Sequence, residues 1–160
     1  VREVWACASK RWPPNGNWGR GLKIGFALQT ALYMVGEIRT PDTASEVLRA
    51  ATSGHLVLST IHANNITDAI NSVVKYASST AMSEELAYDL FSRGMLGVLH
   101  QTLHGVKNKT PLVSYLFTNP DSTRGDQVRG IIKGGKLNLA TSIETQMTRM
   151  SRGKNIFPEI

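Results

Sequence analysis

The order of strand-like and helix-like segments between residues 32 and 74 constrains the fold of this chain more than any other feature. Residues 32–35 form an apolar run that ends at Gly36, which favours a short buried strand. Residues 55–61 form a second run, too short and too rich in β-branched side chains for a helix. One segment with helical spacing lies between these two runs, and another follows the second run. The pattern therefore predicts an α/β fold in which helices cover a parallel sheet.

The two helices of this pattern carry recognisable start signals. Thr40 precedes Pro41 and Asp42, an N-cap followed by a proline and an acid in the first turn, and Gly54 marks the end of that helix. Asn64 or Asn65 caps the second helix. Its apolar residues recur on one face, namely Ile66, Ala69, Ile70, Val73 and Val74.

The remaining segments are predicted from the same signals. Residues 22–32 have the spacing of a short helix, yet the strand at residue 32 follows without the turn of about two to six residues that normally separates such elements. Either that helix is shorter than its pattern, or residues are missing there. Downstream we predict a helix from Ser83 to near Gly94, strands at 95–103 and 112–117, and helices at 122–133 and 137–150.

Composition excludes several classes of protein. No run of 18 apolar residues occurs, so no membrane span is predicted, and the first three residues lack the pattern of a secretory leader. The single cysteine, Cys7, cannot form an internal disulfide or a zinc cluster, which fits a reducing compartment. A net charge of +6 would suit a polyanion, but such an excess is also common on ordinary domains. Charge alone therefore does not predict a nucleic-acid partner.

Polar residues follow both predicted strands. The carboxyl ends of parallel strands form the ligand crevice of such sheets, and Glu37 follows the first strand while Thr60 and His62 lie at the end of the second. A carboxylate there can hold a magnesium-bound water, and a hydroxyl or an imidazole can contact a phosphate. The alternative is that Glu37 and Arg39 are solvated loop residues and His62 is an ordinary polar side chain.

The residues around these strand ends resemble one known family. Residues 36–39 read Gly-Glu-Ile-Arg, residues 41–44 read Pro-Asp-Thr-Ala, and residues 53–64 read Ser-Gly-His-Leu-Val-Leu-Ser-Thr-Ile-His-Ala-Asn. In this order they are similar to the Walker B region, the following helix and the His box of the ATPases of type II and type IV secretion and of type IV pili. The resemblance implies an incomplete RecA-like P-loop NTPase core in residues 1–105 and a mainly helical carboxyl-terminal part in residues 106–160.

The resemblance also implies roles for individual residues. Glu37 would be the catalytic Walker B glutamate, next to the attacking water and binding magnesium through a water. His62 would be the catalytic histidine closer to the γ-phosphate. Because His55 and His62 are seven residues apart, on one continuous strand they would face opposite sides, which disfavours a shared metal site. The nucleotide-binding positions implied are Gly36, Arg39, Thr60 and His55.

Some parts of the family pattern are missing from these 160 residues. Residues 16–23 have two glycines at the interval of a phosphate-binding loop, but Leu22 stands where that loop needs a lysine. The acidic segment and the Arg-x-Asp-Pro-Asp turn before the Walker B strand are missing too. No Cys-x-x-Cys pairs follow residues 101–103, so zinc is not expected, and the pattern is closer to the retraction or conjugation branch than to the zinc-bearing extension branch.

These likenesses imply the function of a larger protein. It would be a hexameric ATPase that uses ATP and magnesium to power pilus dynamics, secretion or conjugation. It would lie in the cytoplasm, on a platform protein of the bacterial inner membrane. The 160 residues alone would be inactive, because the phosphate-binding loop is missing. Two alternatives stay open: a non-catalytic interaction module of a secretion assembly, and a nucleic-acid-binding domain.

Overall fold

A computed structural model describes residues 32–79, 82–106, 109–118, 127–135 and 139–151. Strands β1 (Leu32–Val35) and β2 (Leu56–Ser59) pair in parallel and are connected by helix α1 (Pro41–Thr52). This confirms the predicted parallel pairing. The later elements are α2 (Ile66–Ser78), α3 (Glu84–Gly94), β3 (Gly97–His104), β4 (Thr110–Phe117), α4 (Gln127–Lys133) and α5 (Leu139–Ser151).

The predicted helix starts are confirmed by capping hydrogen bonds. The Thr40 side chain accepts a bond from the backbone N–H of Thr43 at 3.3 Å, and Ser83 accepts one from that of Leu86 at 3.2 Å. Of the two candidate asparagines, Asn65 is the N-cap of α2, because its Oδ1 accepts from the N–H of Asp68 at 2.8 Å. Each cap partners a backbone donor that the helix leaves unpaired at its first turn.

The second strand is shorter than predicted at both ends. Gly54 has φ +90°, a backbone conformation that residues with a side chain rarely adopt. The chain turns there, and the N–H of His55 donates to the carbonyl of Ala50 at 3.2 Å. His55 therefore belongs to the turn after α1. At the other end, Thr60 lies outside β2 although its carbonyl still accepts a bond from Ile38.

Other predicted boundaries also shift. Leu32 opens β1 and is not the end of a helix; the rest of the helix predicted at residues 22–32 lies outside the described residues. Met95 is the C-cap of α3, because its N–H donates to the carbonyl of Phe91, and β3 begins only at Gly97. Strands β3 and β4 form an antiparallel pair, with Leu99 opposite Tyr115. The predicted helix start at 122–126 also lies outside the described residues.

The hydrophobic core lies on one face of the β1–β2 pair. Tyr33 and Val35 point to this side, where Ile70 of α2 is fully buried. Ile132 of α4 and Ile143 of α5 belong to the same cluster. The predicted boundary between residues 105 and 106 falls between the paired strands β3 and β4, so residues on both sides of it contribute to one core.

Across the described ranges, we find no helix with both the length and the apolar character needed to cross a membrane.

Candidate functional site

The segments that follow β1 and β2 lie side by side. The N–H of Ile38 donates to the carbonyl of Thr60 at 2.9 Å, and the Thr60 hydroxyl donates to the carbonyl of Gly36 at 2.6 Å. Because the strands are parallel, their carboxyl ends meet at one edge of the sheet, where open α/β sheets bind ligands. These two bonds continue the pairing past the strands and bring Glu37 and His62 to that edge.

The carboxylate of Glu37 is at the centre of a three-residue cluster. Its Oε1 lies 3.3 Å from Nε2 of His62, and its Oε2 lies 2.6 Å from Nε of Arg39. The Glu37 side chain is 21% exposed, whereas those of His62 and Arg39 are 69% and 72% exposed. A partly buried carboxylate thus faces two basic side chains that lie largely in solvent.

The charges of this cluster support one another. The hydrogen bond and the charge of Glu37 raise the pKa of the Arg39 guanidinium, which therefore stays positive. The imidazole of His62 forms an ion pair with Glu37 when it is protonated. The carboxylate can accept a proton from water or hold a magnesium-bound water, and the two basic groups can face phosphate oxygens.

Gly36 and Thr60, two of the predicted nucleotide-binding residues, contact each other at this edge. Their hydrogen bond joins the two strand ends, so in this structure they fix the positions of the residues beside them. A contact of either residue with nucleotide stays a prediction.

The structure does not bring His55 to this cluster. His55 precedes β2, whereas Glu37 and His62 lie beyond the carboxyl ends of the strands, so β2 separates the two histidines. The ring of His55 packs against that of Tyr33, with 5.2 Å between ring centres. Neither histidine is inside β2, so strand alternation does not determine which side either of them faces.

The sequence reasoning missed the pairing of Arg39 with Glu37. The resemblance places Arg39 at the nucleotide, but its guanidinium contacts the carboxylate two residues before it. The signal was present as opposite charges at positions 37 and 39, directly after a strand.

The chain matches the model of a known protein family. The family described as "Type II/IV secretion system protein" matches residues 31–115, which is more than half of the chain and includes Glu37, Arg39, Thr60 and His62. The chain belongs to the type II/IV secretion system protein family. The resemblance predicted from the strand ends is thereby confirmed.

Three proteins illustrate the likeness to the type II/IV secretion family. Type II secretion system protein E of Pseudomonas aeruginosa is 38% identical over 86 residues, which are 54% of this chain and 16% of that protein. The ATPase DotB of Legionella pneumophila is 20% identical, with a TM-score of 0.67 over 89% of this chain and 40% of DotB. The pilus retraction motor PilT, solved with bound ADP, is 23% identical, with a TM-score of 0.63 over 86% of this chain and 40% of PilT.

The two solved structures share the fold of this chain, which confirms the predicted α/β fold class. The chain spans less than half of each of the three proteins.

Proposed function

We propose that this chain is the carboxyl-terminal portion of a motor domain that hydrolyses ATP in a secretion or pilus machine. One observation carries the proposal: Glu37 and His62 meet at 3.3 Å where two neighbouring parallel strands end. Membership of the type II/IV secretion family and the fold shared with DotB and PilT support it. An acid and an imidazole at a ligand-binding edge are suited to positioning water next to a phosphate.

In this proposal each residue of the cluster has a distinct task. Glu37 orients the attacking water and accepts its proton, and it would hold magnesium through a water. Arg39 contributes positive charge, and His62 a hydrogen-bonding imidazole, where the terminal phosphate of ATP would lie. A partly buried carboxylate between two exposed basic groups fits a magnesium nucleotide, because the carboxylate can face the cation and the basic groups can face the phosphates. Magnesium, when bound, neutralises charge on the phosphates.

The 160 residues contain no Gly-x-x-x-x-Gly-Lys-Ser/Thr sequence. That motif supplies the backbone N–H groups and the lysine that bind the phosphates in P-loop ATPases. We therefore expect the isolated chain to show no ATP turnover, and a polypeptide segment outside it to supply the phosphate-binding loop. The whole motor would form a hexameric ring in the cytoplasm, docked on an inner-membrane platform protein.

The direct test is a chimaera in which residues 31–115 replace the matched stretch of P. aeruginosa type II secretion system protein E. Glu37→Gln keeps the size of the side chain and removes its charge. We expect this substitution to lower kcat at least about 100-fold, because general-base catalysis contributes about 10²- to 10⁴-fold. ATP binding, measured by fluorescence titration, should change little.

The matched control is Glu85→Gln, an equivalent substitution at an exposed position in the first turn of α3. It should leave kcat unchanged. If the chimaera with Glu37→Gln turns over at the unsubstituted rate, the role of Glu37 is rejected and a non-catalytic interaction module becomes the better description.

A further inference from the structure

The backbone that carries Glu37 and Arg39 is anchored on both sides of Arg39. Ile38 is 6% exposed and belongs to the hydrophobic core, and its N–H donates to the carbonyl of Thr60 at 2.9 Å. The residue after Arg39 is Thr40, the N-cap of α1. The side chains of Glu37 and Arg39 meet next to this anchored segment. A change of partner by Arg39 therefore requires movement of its side chain only.

Both oxygens of the Glu37 carboxylate face a basic partner. Oε1 lies 3.3 Å from Nε2 of His62, and Oε2 lies 2.6 Å from Nε of Arg39. The contact with Arg39 is the shorter one, and a guanidinium is charged at every pH at which proteins are studied. A water molecule that approaches Oε2 must therefore compete with Arg39 for this oxygen.

A phosphate competes well for the same guanidinium. The side chain of Arg39 is 72% exposed, and an exposed ion pair is worth no more than about a fivefold preference for the paired state. A phosphate group carries more negative charge than a carboxylate and can accept two parallel hydrogen bonds from one guanidinium. The pair with Glu37 is thus weak enough for the terminal phosphate of a nucleotide to replace it.

We propose that Arg39 exchanges Glu37 for the terminal phosphate of ATP, and that this exchange exposes Oε2 of Glu37 to the attacking water. ADP lacks that phosphate, so with ADP bound Arg39 stays on Glu37 and covers Oε2. Arg39 thereby distinguishes ATP from ADP and makes the carboxylate accessible only when ATP is bound. The inference rests on the proposed function, which takes Glu37 as the base and places the terminal phosphate beside it.

Nucleotide affinities of the chimaera with P. aeruginosa type II secretion system protein E test the exchange. A fluorescent, non-hydrolysable ATP analogue and the matching ADP are titrated into the unsubstituted chimaera and into Arg39→Gln. We expect Arg39→Gln to weaken the ATP analogue about 10-fold more than ADP. A hydrogen bond to a charged group contributes about 10- to 100-fold, and loss of the exposed ion pair offsets no more than about fivefold of this. The ratio of the two affinities largely cancels the general effect of removing one positive charge.

Glu37→Gln separates an exchange from a bridge. If Arg39 kept its bond to Glu37 while it contacted the phosphate, loss of the carboxylate charge would misplace the guanidinium and weaken the ATP analogue as much as Arg39→Gln does. An exchange predicts no such weakening, because Arg39 has left Glu37 in the ATP complex. A 10-fold weaker ATP analogue in Glu37→Gln would therefore overturn the proposal.

Two further variants control for charge and folding. Arg49→Gln removes an exposed arginine from the last turn of α1 and should leave the ratio of the two affinities unchanged. Arg39→Lys keeps the charge but not the planar guanidinium, so it should recover only part of the ratio. Thermal unfolding of each variant checks that it is folded, and a change at such an exposed side chain should barely alter the melting temperature.

The binding measurements fail independently of the proposed function. Equal weakening of both nucleotides by Arg39→Gln, or of neither, would overturn the exchange, and so would an equal change of the ratio by Arg49→Gln. If Glu37→Gln lowers kcat while Arg39→Gln leaves the ratio unchanged, the proposed function stands and this inference is wrong. If Glu37→Gln leaves kcat unchanged, the proposed function itself is wrong.

Discussion

In the described residues, the helices and the sheet differ in how many of their hydrogen-bonding and packing partners the chain itself supplies. The helices α1, α2 and α3 begin with side-chain caps and bury an apolar face, with Ala44, Ile70 and Ala87 fully enclosed. Among the residues that the structure describes, β2 and β3 each have an edge without a strand partner, and the outer face of the β1–β2 pair is exposed. A helix forms its hydrogen bonds within one segment, whereas a strand depends on partners that are distant in sequence. Within the described ranges, the helices are therefore more complete than the sheet.

The two ends of β2 form a second contrast. Beyond its carboxyl end, His62 joins Glu37 and Arg39 in a cluster that faces solvent. Before its amino end, His55 packs against an aromatic ring. The same residue type thus lies in two different environments, and the direction of the strand decides which histidine can take part in the proposed chemistry.

The largest expected change is in the free energy of unfolding, and it tests the difference between the helices and the sheet. Ile70→Ala removes a fully buried side chain from the helical layer, and large-to-small core substitutions cost about 2–5 kcal/mol. Leu32→Ala on the open face should cost no more than about 0.5 kcal/mol, as exposed substitutions do. Urea unfolding of the 160-residue chain measures both. Equal losses of unfolding free energy would show that the outer face is already covered and would contradict the difference between the helices and the sheet.

A smaller, pH-dependent effect is expected where α3 meets α4. Hydrogen bonds from Arg93 and then Lys133 lower the pKa of Asp89. The stabilisation from Asp89 is thus complete above the unfolded pKa of about 3.9 and is lost as the pH falls through the lower folded pKa. Asp89→Asn should remove the decrease in the free energy of unfolding with falling pH across this acidic range. Arg93→Gln should make that decrease less steep. Parallel curves for Asp89→Asn and the unsubstituted chain would contradict the assignment.

The parts of the fold that could be predicted depend on local signals. Pro41 after Thr40 and Ser83 before two acids identify helix starts from a few adjacent residues, and the order of segments then places Glu37 and His62 at one edge. The limits of β2 were mistaken because the turn at Gly54 is set by its backbone conformation, which the apolar run does not show.

Contacts between distant residues could not be predicted. The guanidinium of Arg129 donates to the carbonyl of Ser92 at 2.9 Å and to that of Arg93, both at the end of α3. It also reaches the hydroxyl of Thr118 at 3.3 Å. These partners are up to 37 residues away in the chain, so only the packing of α4 against α3 brings them together.

If the carboxyl ends of β1 and β2 form the catalytic site, substitutions of the two histidines must affect ATP hydrolysis differently. In the chimaera with P. aeruginosa type II secretion system protein E, steady-state ATP hydrolysis is measured for His62→Ala and for His55→Ala. Loss of a hydrogen bond to a charged group in the transition state corresponds to about a 10- to 100-fold lower kcat. We expect a loss of that size in kcat for His62→Ala and an unchanged kcat for His55→Ala. Equal rates for the two variants, or a larger loss for His55→Ala, would contradict it.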